Sequence, residues 1–175
     1  MTEKQEKILN AALVLFAEEG YKSTSTSKVS KKAGVSEGLI FRHFGSKEGL
    51  LDAILNLGEE RAKELFADVI TESDPKELLR KYIAIGPNMS KNKEAVDFWK
   101  LQFKIKWELE MYGEHKMESI REALVRAFKA LRFNNPEEEA NLLLTLMDGI
   151  ATRFMLQGDF DLTGTTEFLK QKYKL

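Results

Sequence analysis

The chain has 175 residues, 43% of them hydrophobic and 31% charged, and a net charge of −1. This length and mix suit a globular chain with a sizeable core, while the balanced charge gives the chain as a whole no pull towards a polyanion. There is no cysteine, which excludes disulfides and thiolate metal sites and fits a reducing compartment. Apolar runs such as NLLLTLMDGIATRFML are interrupted and too short for a membrane span, and the opening MTEKQEK lacks the apolar stretch of a secretory signal. The expectation is a cytoplasmic protein.

The first predicted helix follows Thr2. TEKQ has the form of a capping box, Ile8, Ala12, Leu15 and Phe16 share one face, and Gly20 supplies a stop. Within STSTS, Thr26 or Ser27 is expected to cap a short helix carrying Val29, Lys31, Lys32 and Ala33, which Gly34 ends in the left-handed region. Ser36 is expected to cap a helix over 37–44, and Ser46 a third that runs past Leu65. Asp74-Pro75 starts a helix expected to break at the GPN of 86–88. Long helices are expected over about 91–112, 115–133 and 136–157, the last opening with three acids where the helix dipole favours them, and a short one follows the GDFDLTG loop. No stretch alternates like a strand. The fold class is all-α, with about nine helices.

Charge is unevenly placed. Between residues 22 and 47 stand Lys22, Lys28, Lys31, Lys32, Arg42 and Lys47 against one acid, Glu37; that zone carries +5 and the remainder −6. A basic patch on an acidic body suits a nucleic-acid partner, and equally a solvated lysine face. The same zone holds GVSEGLIFRHF, in which two short helices meet at a glycine turn. This is a helix-turn-helix pattern: Val35 plugs the corner, Ile40 and Phe44 point inward, and Glu37, Gly38, Leu39, Arg42 and His43 lie on or near the outer face. Gly38 has no side chain and allows close approach to bases.

Residues 26–50, TSKVSKKAGVSEGLIFRHFGSKEGL, resemble the DNA-binding signature of the TetR family of bacterial transcriptional regulators. Thr26, Val29, Ala33, Gly34, Val35, Ser36, Gly38, His43, Phe44, Lys47 and Leu50 fit its pattern in order. The resemblance implies an N-terminal three-helix DNA-binding domain over 1–48 and a helical ligand-binding and dimerisation domain over 49–175. It implies that Thr26, Ser36, His43 and Lys47 hold the phosphate backbone, and that Glu37, Gly38, Leu39 and Arg42 face base edges. Two positions depart from the pattern. Phe41 stands where the family usually has tyrosine, so a hydroxyl contact is lost at that DNA-facing position, and Leu39 stands where a small polar residue is common, which suits a thymine methyl. Glu37 has two readings, an acceptor for a cytosine amine or simply a first-turn acid.

The resemblance also implies a small-molecule inducer, a homodimer and a palindromic double-stranded DNA operator. In the helix over 91–112, Ala95, Trp99, Phe103 and Trp107 form one stripe and Phe98, Ile105, Leu109 and Tyr112 a second, with Gln102, Lys106 and Glu110 a polar seam between them and Asp97, Lys100, Lys104 and Glu108 expected on the wet side. The seam reads either as the polar part of a pocket, with Met111, Met147 and Phe154 completing its walls, or as side chains reaching out from a partly exposed edge. In the helix over 136–157 leucines occupy more than one face, so a second chain is expected to cover Leu142, Leu146, Gly149, Ile150 and Arg153.

Catalytic readings find little purchase. The two histidines, His43 and His115, lie on different elements, and there is no HExxH spacing and no phosphate-cradling glycine loop. No catalytic residue, metal or cofactor is expected. The sequence therefore points to a DNA-binding regulator, most simply a repressor released by a small apolar or amphipathic ligand. Two alternatives stand beside it: a DNA-binding protein working through a protein partner, and a helical carrier whose helix-turn-helix is vestigial.

Overall fold

A computed structural model describes residues 1–110 and 117–175. Its described residues form nine helices and no strand: α1 (Glu3–Glu19), α2 (Thr26–Ala33), α3 (Glu37–Phe44), α4 (Lys47–Ile70), α5 (Pro75–Met89), α6 (Lys93–Glu108), α7 (Glu118–Ala130), α8 (Pro136–Leu156) and α9 (Leu162–Lys172). None is long and apolar enough to cross a membrane.

Local chemistry starts and stops most of these helices. The Thr2–Gln5 capping box is formed in full at α1. The cap of α2 is Ser25, not Thr26 or Ser27: its hydroxyl accepts from the Lys28 amide at 3.2 Å. Ser46 Oγ accepts from the Gly49 amide at 3.0 Å at the start of α4, and Asp74 does the same for Glu77 at 2.7 Å at α5. Ser36 and Asn135 precede α3 and α8 without a side-chain cap bond.

The expected break at 86–88 does not occur, since α5 runs through Gly86 and Pro87 to Met89. A proline clashes with the Cβ and amide of the residue before it when that residue is helical. Gly86 has no Cβ, and Pro87 falls in the last turn, so only one backbone bond is lost.

The chain packs as two compact units, Met1–Ala62 with Lys93–Tyr112 and Lys63–Asn92 with Gly113–Leu175. This packing division differs from the division expected at residue 48, because α6 packs on α1. The first core gathers Ile8, Phe16, Val29, Ile40, Leu50 and Leu101, all fully buried. The second gathers Leu79, Ile83, Leu124, Phe128 and Leu143. There Phe128 lies 5.1 Å from Phe133 and 5.3 Å from Tyr173, ring centre to ring centre.

The helix α6 departs in part from the expectation: its stripe of Phe98, Ile105 and Leu109 packs on the first core, but the expected wet side does too. Asp97 is 5% exposed and paired with Lys93 at 2.8 Å. Lys104 donates to the Glu18 carbonyl at 2.6 Å, and Glu108 accepts from the Tyr21 amide at 3.0 Å. The supposed wet side thus shares its face with buried Leu101 and Ile105, while Trp107 is 77% exposed. The end of α1 leaves carbonyls without helical partners and the turn after it leaves the Tyr21 and Lys22 amides free, and Lys104 and Glu108 of α6 satisfy them.

Candidate nucleic-acid interface

The α2–α3 corner is built from two backbone bonds around Gly34, whose φ is +67°. Its amide donates to the Lys31 carbonyl at 3.3 Å and the Val35 amide to the Ser30 carbonyl at 3.0 Å. This is a Schellman stop, with glycine at the position that a Cβ would strain. Val35 then packs against the first core beside Leu39 and Phe44, while Ile40 is fully buried in it. These anchors fix which side of α3 is free. Gly38, Phe41 and Arg42 are exposed, with Phe41 at 47%, and Glu37 and His43 are half-buried. Leu39 is half-buried against the core, so only part of it is left to meet a base.

Thr26 donates its hydroxyl hydrogen to Glu37 Oε1 at 2.6 Å. The bond ties the first residue of α2 to the first of α3, and commits the Thr26 proton within the protein. It also accounts for Glu37 without a base: the carboxylate sits in the first turn of α3, where the dipole favours it, and braces the corner. Ser36 is exposed, and its hydroxyl makes no cap bond. The His43 ring meets Phe44 edge-on, with centres 6.2 Å apart.

The cations divide into tethered and untethered. Lys28 is paired with Glu19 at 2.6 Å, and Lys22 donates to the Glu108 carbonyl at 2.9 Å. The Lys47 ammonium stands 4.4 Å from the centre of the Tyr21 ring. Among the described residues no ion pair engages Lys31, Lys32 or Arg42, all three of which are exposed. Free cations at the end of α2 and on α3 are available to phosphate oxygens and base edges.

Sequence reasoning missed Ser25, Tyr21, Thr24 and Glu108. Ser25 was one position from the expected cap. Thr24 is buried, and its hydroxyl donates to the Gly20 carbonyl at 2.8 Å. Glu108 reaches Tyr21 across 87 positions, a pairing for which the sequence carries no local signal.

The expected pocket residues are divided between the two units. Trp99, Gln102 and Phe103 are half-buried, and Trp107 and Glu110 are exposed, all in the first unit. Met147 and Phe154 pack against the second core. Met111 and the side chain of Lys106 lie outside the described residues. A crevice of about 10 Å³ beside Leu13, Gly58 and Phe98 is too small for more than a water. An open groove of about 340 Å³ lies among α4, α5 and α9, lined by Leu65, Val69, Ile85, Arg80, Lys81 and Lys170 among others. None of the expected pocket residues lines either. No group of acidic or histidine residues among those described could hold a metal ion.

Comparison with known proteins agrees with this geometry. Residues 8–54 match the family model of bacterial regulatory proteins of the tetR family. Over 86 residues the chain is 35% identical to the uncharacterized HTH-type transcriptional regulator YuxN of Bacillus subtilis (strain 168), covering 49% of this chain and 30% of that one. Over 64 residues it is 41% identical to the HTH-type transcriptional regulator UidR of Escherichia coli (strain K12), covering 37% and 33%. The chain thus spans about a third of these relatives' length. In structure it is similar to the fatty acid degradation regulator FadR from Bacillus halodurans, with TM-score 0.75, 20% identity and coverage of 98% of this chain and 94% of that one. A transcriptional regulator from Saccharomonospora viridis in complex with choline gives TM-score 0.76, also at 20% identity and with the same coverages. At that identity the likeness speaks for the fold, which is shared nearly end to end. Residues 8–54 thus carry the helix-turn-helix of the tetR family of bacterial regulatory proteins, and the chain as a whole shares the fold of these two solved regulators.

Proposed function

We propose that this chain is a homodimeric DNA-binding transcriptional regulator of the cytoplasm, a repressor that leaves a palindromic operator when a small apolar or amphipathic ligand binds. The observation that carries the DNA-binding part is the glycine-closed corner that seats α3 on the core while Lys31, Lys32 and Arg42 stand exposed and unpaired. In this reading Ser36, His43 and Lys47 hold phosphates, and Gly38, Leu39, Phe41 and Arg42 face the groove. Thr26 and Glu37 brace the corner. The test is fluorescence anisotropy with a labelled duplex across a salt series: affinity should fall steeply as salt rises.

The homodimer is supported by α8. Leu142, Leu146, Gly149, Arg153 and Leu156 recur every three or four residues along it; Leu142, Gly149, Arg153 and Leu156 are exposed, and Leu146 is half-buried. Leu156 is 71% and Phe168, on α9, 69% exposed. An added Cβ at Gly149 would meet nothing within 4 Å of its own chain, so the space over it is open to a second chain. Ile150 is buried within its own unit and belongs to the core, not the stripe. Sedimentation at micromolar concentration tests this, and a monomer there contradicts it.

Release by a ligand is supported by the relative of like fold that holds choline. Both tryptophans of this chain, Trp99 and Trp107, lie on α6. A ligand settling against Trp99, Phe103 and Trp107 should change their emission, and the same compound should lower duplex affinity. A ligand acts only as far as it prefers one of two states. The exposure of Trp107 favours a second reading, a protein partner seated on that end of α6, and emission unmoved by any compound that lowers duplex affinity would favour it.

A further inference from the structure

Tyr21 is not among the DNA-facing residues, yet three parts of the first unit meet on it. Its amide donates to Glu108 Oε2 at 3.0 Å, and the next amide, of Lys22, donates to the other oxygen of that carboxylate. Its ring lies under the Lys47 ammonium, 4.4 Å from ring centre to nitrogen. Its hydroxyl donates to Glu48 Oε1 at 3.1 Å. Burial, with the Glu48 bond adding to it, pushes the phenol up to about 12, so it remains a donor at physiological pH. Phe16 backs the ring edge-on, with centres 5.3 Å apart, so the ring cannot swing away without opening the core.

A lysine on a helix end has a long, mobile side chain and a strongly hydrated charge. Here two features restrain it: the negative face of the Tyr21 ring, and the Lys22 carbonyl at 3.4 Å from its nitrogen. Glu48 is its neighbour in sequence and a ready partner, but its carboxylate is turned to its own backbone amide, the Ser46 hydroxyl and the Tyr21 hydroxyl. The Lys47 charge is thereby left for an outside anion, beside the amides at the start of α4.

We infer that Tyr21, held in place by Glu108, is a positioning residue for DNA binding: its ring orients the Lys47 ammonium, and its hydroxyl is one of three groups that hold Glu48 away from that charge. The inference rests on the DNA-binding reading above. It adds two residues to that reading, neither of which touches DNA.

The test is a double-mutant cycle, read as affinity for a random-sequence duplex across a salt series. Tyr21→Leu should weaken binding about threefold to tenfold in the protein with Lys47, and have no further effect in the Lys47→Ala protein. Tyr21→Phe keeps the ring and should recover most of the affinity. If the Tyr21→Leu and Lys47→Ala losses multiply, or if Tyr21→Phe is as weak as Tyr21→Leu, the inference is wrong. Tyr21 is buried, so its leucine variant needs a thermal melt, and Glu108→Gln decides the matter if that variant does not fold. A carboxamide oxygen cannot serve both amides as well as the carboxylate does, so Glu108→Gln should weaken binding about threefold, and only when Lys47 is present. Simple loss of a negative charge near DNA would tighten binding instead, which would overturn the inference. A wild type that binds no duplex would overturn both the DNA-binding reading and the inference; a wild type that binds, with independent losses, would overturn the inference alone.

Discussion

The helix-turn-helix corner and the second unit are held by interactions of different reach. In the helix-turn-helix, Ser25 caps α2 three residues on, Gly34 and Val35 close it with carbonyls three and five residues back, and Thr26 meets Glu37 eleven residues away. In the second unit, Tyr173 donates to Glu139 across 34 positions, and Lys76 donates to the Lys174 carbonyl across 98. The first pattern shapes a corner from its own short stretch of chain. The second lets helices of almost any surface sequence assemble, provided their inner faces fit. A DNA-reading surface needs the former, because the position of α3 must repeat from molecule to molecule.

The largest expected effect that sharpens this comparison is in the second core. Phe128 is fully buried and meets both Phe133 and Tyr173. Phe128→Ala should cost about 3–5 kcal/mol, seen as a lower urea midpoint. A loss below about 1 kcal/mol would mean that the aromatic trio is not what holds that unit.

Next comes α8. In a lone chain Gly149→Leu fills open space and should stabilise the helix by up to about 1 kcal/mol. In a dimer that packs on the stripe, the same leucine should block association and raise the dimer dissociation constant by at least about tenfold. Sedimentation and thermal melts together separate the two, since the sign of the change differs.

The smallest effect tests the local character of the corner. Ser25→Ala removes one cap bond and should cost about 1 kcal/mol. Thr26→Ala should leave the α2 cap intact, because Thr26 bonds Glu37 instead. Equal losses of α2 amide protection in hydrogen exchange would contradict that division of roles.

Legibility followed the same division of reach. GVSEGLIFRHF gave the turn, the inward residues Ile40 and Phe44 and the exposed Arg42, because each depends on neighbours within a few residues. The α2 cap was misplaced by one residue, since STSTS offers five hydroxyls and only backbone geometry chooses among them. Periodicity found α6 and its inward stripe of Phe98, Ile105 and Leu109, but put Asp97, Lys104 and Glu108 on the wrong side. Trp107 carries more apolar surface than Leu101, yet Leu101 is buried, with Asp97 beside it, and Trp107 is exposed. What decided the matter was the end of α1, which needs Glu108 and Lys104, and no window around α6 contains that information.

The central claim is that residues 26–47 form a DNA-binding surface in which some cations position and one reads. It is tested most directly by measuring wild type, Lys47→Ala and Arg42→Ala on a selected operator and on a random duplex across one salt series. Wild-type affinity should fall linearly with salt on a logarithmic scale. Lys47→Ala should weaken both duplexes alike and lower the slope by about 1 per subunit, while Arg42→Ala should cost about 1–3 kcal/mol on the operator and much less on random DNA. Loss of the same factor on both duplexes would make Arg42 a phosphate contact, and a wild type with no salt-dependent affinity for either would contradict the account.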